Sequence, residues 1–274
     1  MVNRKELNPE AGPVAAFGAR MRGFREARGW SQEELAQQVS YSSQHISAVE
    51  TGRKPPTLPF SRRLDRAFGT GDSADSFERE WRDIRQGSLL EGFPEYVGHE
   101  GRAAEIRVYD IGVVPGILQT PEYARELANS AVRRGATTPE QANERVAFLA
   151  ERQAALKRDR PPLILVVLDE SCIRRRVGSA DVMAAQLDHL EQFADLYNTS
   201  LQVAPFSMGA RRALNLPVNL LTMPDRSVLA YAESQTRGHL ERDSSSVLPL
   251  LTAYHQLQTE ALSQAASVSL IREA

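Results

Sequence analysis

Ser43, Gln44 and Ser47 are small polar side chains on one side of a short segment whose other side carries Ile46 and Val49. That three-to-four-residue spacing predicts a helix with one apolar and one polar face. Hydrogen-bonding groups near a helix N-terminus suit the base edges of a DNA major groove, and the Gln44 carboxamide can bond adenine twice. Ser42, at the start of the same helix, joins this set. Phosphate chemistry lies around it. Gln32 falls in the first turn of the preceding helix, where the dipole and free N–H groups attract anions. Arg53 and Lys54 follow the second helix and can neutralise backbone charge.

These side chains need two helices joined by a tight turn. The first starts at Ser31 and places Leu35, Ala36 and Val39 on one face; Ser31 and Glu34 form an S-x-x-E capping box. The second ends before Gly52, as helices often do. Prolines 55, 56 and 59 break the chain and open a further helix with Phe60, Leu64, Ala67 and Phe68 at helical spacing. An earlier helix puts Phe17, Met21 and Phe24 on one side, with Trp30 closing its turn. An ordinary helix pair in a small bundle would share much of this pattern. Charge favours the nucleic-acid reading. Residues 1–70 hold 11 Lys or Arg against 7 Asp or Glu, a balance of +4, whereas the remaining 22 basic and 28 acidic residues give −6. A modest basic excess implies that two copies share the binding.

Residues 17–70 resemble the Xre-like (Cro and phage-repressor type) helix-turn-helix domain. The match rests on 22–28, Ser31-Gln32-Glu33-Glu34-Leu35-Ala36, Ile46, Val49, Glu50, Gly52 and Arg53. The resemblance implies that Glu50 pairs with Arg25 of the first helix as a structural ion pair. It implies that Gln32 meets phosphate and that Ser42, Ser43, Gln44 and Ser47 face bases. His45 points sideways to phosphate or packs on the helix before it.

A chain of 274 residues has room for a second domain with its own core. Its single Cys172 excludes an intramolecular disulfide, which fits a reducing cytoplasm. The longest apolar run, 163–168, is too short to span a membrane, and no signal peptide is expected. Residues 1–13 read as a flexible tail, 14–86 as the helix-turn-helix domain, including a helix at 73–85, and 87–104 as a linker. Residues 105–274 read as a regulatory or dimerisation domain. There, 105–114 reads as a strand, 121–133 and 139–157 as helices, and 163–170 as a buried strand. A helix at 179–197 precedes strands at 201–204, 218–223 and 228–232, with a turn at Pro224-Asp225-Arg226. A long helix spans 240–262. The expected fold class is multidomain: an all-α helix-turn-helix bundle followed by an α/β or α+β domain with a mixed sheet.

Asp169 and Glu170 leave one strand and Glu233 ends another; strand ends are where such domains hold ligands. With Arg174 and His239 they could line a ligand or partner pocket, or serve acid/base chemistry. Equally, Asp169 caps the following helix, Glu170 pairs with an arginine and Glu233 lies on the surface. No nucleophile–base or metal-ligand spacing accompanies them, so no catalytic residue, metal or cofactor is expected. The segments 113–127 (VVPGILQTPEYAREL), 151–156 (ERQAAL), 168–178 (LDESCIRRRVG), 183–190 (MAAQLDHL) and 231–234 (YAES) resemble the C-terminal domain of WhiJ-like, antitoxin-like transcriptional regulators of actinomycetes. That resemblance implies a non-enzymatic, cytoplasmic DNA-binding regulator, associated with the nucleoid when bound. It would be a homodimer on an inverted-repeat operator in double-stranded DNA, with a small separately encoded protein as a further partner and no membrane contact. Two alternatives stand beside it: an antitoxin that mainly masks its partner protein, and a DNA-targeted enzyme using the C-terminal carboxylates.

Overall fold

Pro13 opens the first helix, because its fixed φ suits a first helical position and its missing N–H is not needed there. The computed structural model describes residues 12–87 and 89–274, so most of the expected 1–13 tail lies outside the described residues. The chain divides into two units, 1–88 and 89–274.

The first unit is all helical. Helix α1 spans Pro13–Ala27, α2 Gln32–Val39, α3 Ser43–Glu50, α4 Leu58–Phe68 and α5 Phe77–Gly87. At the start of α2, Ser31 Oγ accepts the Glu34 N–H at 3.1 Å and Glu34 accepts the Ser31 N–H at 2.6 Å, so the capping box is complete. Ser40, at φ 55°, ends α2 in the left-handed region. Arg63 of α4 donates Nη1 to the carbonyls of Val39 and Ser40 and so satisfies that helix end. Phe17, Met21, Leu35, Val39, Ile46, Val49, Phe60, Leu64, Phe68 and Phe77 form one core. Each such burial contributes about 1.5–3 kcal/mol. Trp30 stacks on Phe68 at 5.8 Å. The last helix begins at Phe77, four residues later than the periodicity suggests. Its cap comes from another helix: Asp65 accepts the N–H groups of Phe77 and Glu78 at 2.7 and 2.9 Å, with the Ser76 and Thr70 hydroxyls on the same carboxylate.

The second unit is built on a six-stranded mixed sheet. Strands β1 (Glu105–Asp110), β2 (Leu163–Asp169) and β3 (Thr199–Ala204) are parallel. Strands β4 (Val218–Thr222), β5 (Val228–Glu233) and β6 (Gly238–Glu241) continue antiparallel, in the order β3-β2-β1-β4-β5-β6. Its other helices are α6 (Phe93–Glu100), α7 (Pro121–Arg133), α8 (Pro139–Leu156), α9 (Ser171–Arg174), α10 (Ala180–Ala194), α11 (Ser244–Glu260) and α12 (Gln264–Arg272). Strand alternation sorts the sheet into two faces. Ile106, Val108, Val166, Leu168, Leu221 and Tyr231 pack with side chains of α6, α7, α8, α10 and α12. Tyr109, Val167, Leu220 and Ala230 pack under Val247, Tyr254 and Leu257 of α11. The final long helix thus covers its own sheet, leaving Leu248 exposed. Cys172 is fully buried, and burial pushes its thiol well above the usual range.

Three expectations change. The stretch 87–104 is not simply a connection, because α6 lies within it and buries Tyr96 against the sheet. The strand expected over 105–114 stops at Asp110, whose carboxylate accepts the next backbone N–H at 2.8 Å and turns the chain. The expected 240–262 helix yields its start to β6, which pairs Leu240 with Tyr231. Gly238 is required there: a Cβ would stand 2.0 Å from the Tyr231 hydroxyl oxygen.

Candidate nucleic-acid interface

Helix α3 is held from behind. Gly18 of α1 lets the two backbones meet, since a Cβ at that position would lie 2.2 Å from the Val49 carbonyl oxygen. Ile46 and Val49 are fully buried on the same side. Ser42 Oγ accepts the His45 N–H at 3.2 Å and caps the helix, which takes up its acceptor role and leaves its hydroxyl hydrogen. Gln44 and Ser42 are exposed, and Ser43 and Ser47 half-buried, so the polar edge is open to a partner. His45 packs between Tyr41 and Phe60, with ring centroids 4.5 and 4.9 Å away. Burial, and then nearby Lys54, lower its pKa. Its ring therefore supports the turn rather than reaching sideways for phosphate.

Arg25 Nε donates to Glu50 Oε1 at 2.6 Å and Nη2 to Oε2 at 3.3 Å, while Nη1 donates to the Trp30 carbonyl at 2.7 Å. Gln32 Nε2 donates to Glu50 Oε2 at 2.7 Å. The Gln32 side chain is thus tied inward to this pair. A carboxamide nitrogen carries two hydrogens, so one remains for a phosphate. Arg53 and Lys54 are exposed just past α3, with Arg53 Nε on Thr51 Oγ1 at 2.9 Å. The first unit therefore brings Gln32, the α3 edge and the two cations onto adjoining positions of one motif.

The five C-terminal residues do not converge. Asp169 accepts from Ser171 and from Arg212 Nη1, the latter at 2.9 Å. Glu170 accepts from Arg174 Nε at 3.2 Å and from the Phe206 N–H at 2.8 Å, so both carboxylates are occupied in place. Arg174 also donates to the Glu273 carbonyl. Glu233 ends β5, three strand spacings from β2 in the sheet order, or about 14 Å. His239 is exposed on β6, 3.5 Å from Glu241. The reason is topological: strands β1 and β4 separate the two groups.

Glu233 instead lines a cavity of about 330 Å³ with Asp110, Arg152, Asn219, Phe93 and Tyr231. Sequence reasoning missed all five of these partners as site residues. Asp110 was the one with a signal, a carboxylate at a strand end, hidden by running that strand on to 114. Among the described residues no three His, Cys, Asp or Glu side chains are grouped to hold a metal ion. No described helix is long and apolar enough to cross a membrane.

Residues 93–273 match the family described as a domain of unknown function, DUF5753, and residues 16–75 match a helix-turn-helix domain. The chain belongs to the DUF5753 family. Its head is similar to an uncharacterized HTH-type transcriptional regulator of Methanothermobacter thermautotrophicus, 40% identical over 57 residues, which is 21% of this chain and 83% of that protein. It is also similar to a hypothetical transcription factor of Neisseria meningitidis serogroup B, 39% identical over 64 residues, 23% of this chain and 60% of that protein. No solved structure matches. With the described geometry, these similarities make the chain a helix-turn-helix DNA-binding regulator of transcription.

Proposed function

We propose that this regulator is of the Xre type and reads a specific operator with Ser43, Gln44 and Ser47, while Gln32, Arg53 and Lys54 hold the phosphates. The observation that carries the reading is α3 itself: apolar side buried, N-terminal polar edge open, backbone clamped against α1 at Gly18. A rigid helix offering a carboxamide and hydroxyls can discriminate base pairs, whereas exposed cations act without regard to sequence. The chain acts in the cytoplasm as a homodimer on an inverted repeat, with half-sites about 34 Å apart or a multiple of that. One small head with a charge balance of +4 over residues 1–70 neutralises few phosphates, and a second copy doubles that number. The C-terminal unit supplies the dimer contact and senses a ligand or a small partner protein, as in the antitoxin-like regulators it resembles.

The test is a titration of the full chain on an operator selected from random duplexes. Gln44→Ala should weaken specific binding by about 1–3 kcal/mol and leave binding to unrelated DNA unchanged. Arg53→Ala should weaken both and flatten the salt dependence. Unaltered operator affinity in Gln44→Ala would overturn the assignment of α3 to the major groove.

A further inference from the structure

We propose that the cavity at the carboxyl end of β1 is a binding site for a small protonated organic amine that also carries a hydrogen-bond acceptor. The cavity is lined entirely from the second unit. From β1 the chain moves to β2 and β3, then returns on the opposite side of β1 as β4, so the sheet order reverses beside this strand. Open α/β sheets hold ligands in the crevice outside the strand ends at such a reversal.

Four polar side chains reach the cavity with unused hydrogen-bonding capacity. Asp110 Oδ1 accepts the Ile111 N–H, and Oδ2 has no partner among the described residues. Glu233 Oε1 accepts the Tyr231 hydroxyl at 2.9 Å, and its second oxygen likewise has none. Asn219, on β4, makes no side-chain hydrogen bond among the described residues. Arg152 donates Nε and Nη2 to Glu100 at 2.5 and 2.7 Å, leaving Nη1 beside Gly116, where a Cβ would stand 3.2 Å from it.

Charge selects the ligand. Arg152 is matched by Glu100, so the two carboxylates facing the cavity set its sign, and a cation is what they lack. Phe93 and Tyr231 add aromatic surface, which favours a cation or a flat body. Asn219 and the spare Arg152 nitrogen supply donors for an acceptor group on the same molecule. Burial, with Glu233 alongside, lifts the Asp110 carboxyl to about 7. An ammonium beside it would offset that penalty.

The wall is fixed before any ligand arrives. Gln119 donates to the Val114 carbonyl at 2.7 Å, and Gln153 to those of Gly116 and Gln119 at 2.8 and 2.9 Å. Buried Gln186 donates to the Leu118 carbonyl and accepts the Thr120 N–H, both at 2.8 Å. A loop fastened by three carboxamides loses little freedom on binding.

The experiment is calorimetric titration of the full chain, without DNA, at about pH 8, where Asp110 is ionised. The probes are tyramine, 5-hydroxytryptamine and histamine, each with an acceptor besides its ammonium, and tyrosol and 4-hydroxyphenylacetate serve as uncharged and anionic counterparts of tyramine. At least one amine should bind, and for tyramine the margin over its counterparts should be about tenfold or more. Glu233→Gln should reduce amine binding about tenfold, and Asn219→Leu should weaken it by removing the carboxamide that meets the acceptor group, each with an unchanged circular-dichroism spectrum. The proposal is overturned if no amine binds up to about 10 mM, if tyrosol or the carboxylate binds as well as tyramine, or if both folded variants retain the amine. Because no DNA is present, failure here leaves the reading of α3 standing, and failure of the operator titration leaves this one standing.

Discussion

Each unit contains a buried arginine–glutamate pair, and the two are finished differently. Around Arg25 and Glu50 every guanidinium nitrogen has an acceptor, and Gln32 adds a donor to the carboxylate. Around Arg152 and Glu100, the Tyr96 hydroxyl donates to the carboxylate at 2.5 Å, but one guanidinium nitrogen is left beside a cavity. The first pair is closed and serves geometry: it ties α1 and the start of α2 to the end of α3. The second is open and keeps one donor in reserve. Completeness of hydrogen bonding thus separates an ion pair that fixes a helix from one that can also meet a ligand.

Removing one partner from either pair should have the largest effect. Glu50→Ala strands the Arg25 charge, and Glu100→Ala strands that of Arg152; each should cost about 3–5 kcal/mol. Both tryptophans, Trp30 and Trp81, lie in the first unit, so urea unfolding by tryptophan fluorescence reports on that unit. Glu50→Ala should shift that transition. Glu100→Ala should leave it in place and shift the sheet transition seen by circular dichroism. Movement of the tryptophan transition in Glu100→Ala would break the contrast. The double change Arg25→Met with Glu50→Leu should recover much of the loss, because no charge is left buried.

Next is the pH response of the open side. Asp110 keeps its proton to about 7 in the folded chain, against 3.8 for an ordinary aspartate. Between those values the folded state binds more protons than the unfolded one, so stability falls as pH rises from about 4 to about 7 and then levels. Glu233 and Arg152 face Asp110 from β5 and α8, and the acids Cys172 and Tyr123 lie near it. Asp110→Asn should flatten this slope in urea midpoints taken by circular dichroism across that range. An unchanged slope would assign it to another group.

The smallest effect sharpens the closed side. Gln32→Ala removes one charge-assisted hydrogen bond from Glu50 and should cost about 1.5–3 kcal/mol by tryptophan fluorescence. No loss would mean that Gln32 leaves Glu50 readily, as a purely phosphate-seeking side chain would.

The helix-turn-helix was legible because its signals are local. Ser31 and Glu34 sit three residues apart, and Leu35, Val39, Ile46 and Val49 repeat at helical spacing. The start of α5 was not, because its cap, Asp65, belongs to α4. Nor was β6, whose identity depends on pairing with β5 and on the space Gly238 leaves for a tyrosine hydroxyl. At the cavity, the segments 113–127, 151–156 and 231–234 all carry the family resemblance, yet no spacing says that they meet, or that Asn219 joins them. Glu233 ends a strand, and in sequence nothing distinguishes it from Asp169, which ends another strand elsewhere in the sheet. Strand order, not strand content, decides which ends are neighbours.

Cys172 has a practical consequence. It is the only thiol in the chain, it is fully buried, and burial holds its sulfur in the protonated form. Thiol-reactive dyes need an accessible thiolate, so the native chain is silent to them. A single added thiol, such as Gln38→Cys on α2 or Ala232→Cys at the cavity rim, would carry a fluorophore at one defined address without first removing a native cysteine. Operator binding and amine binding could then be watched separately, by the emission of one dye, on molecules that differ from the natural sequence at a single residue.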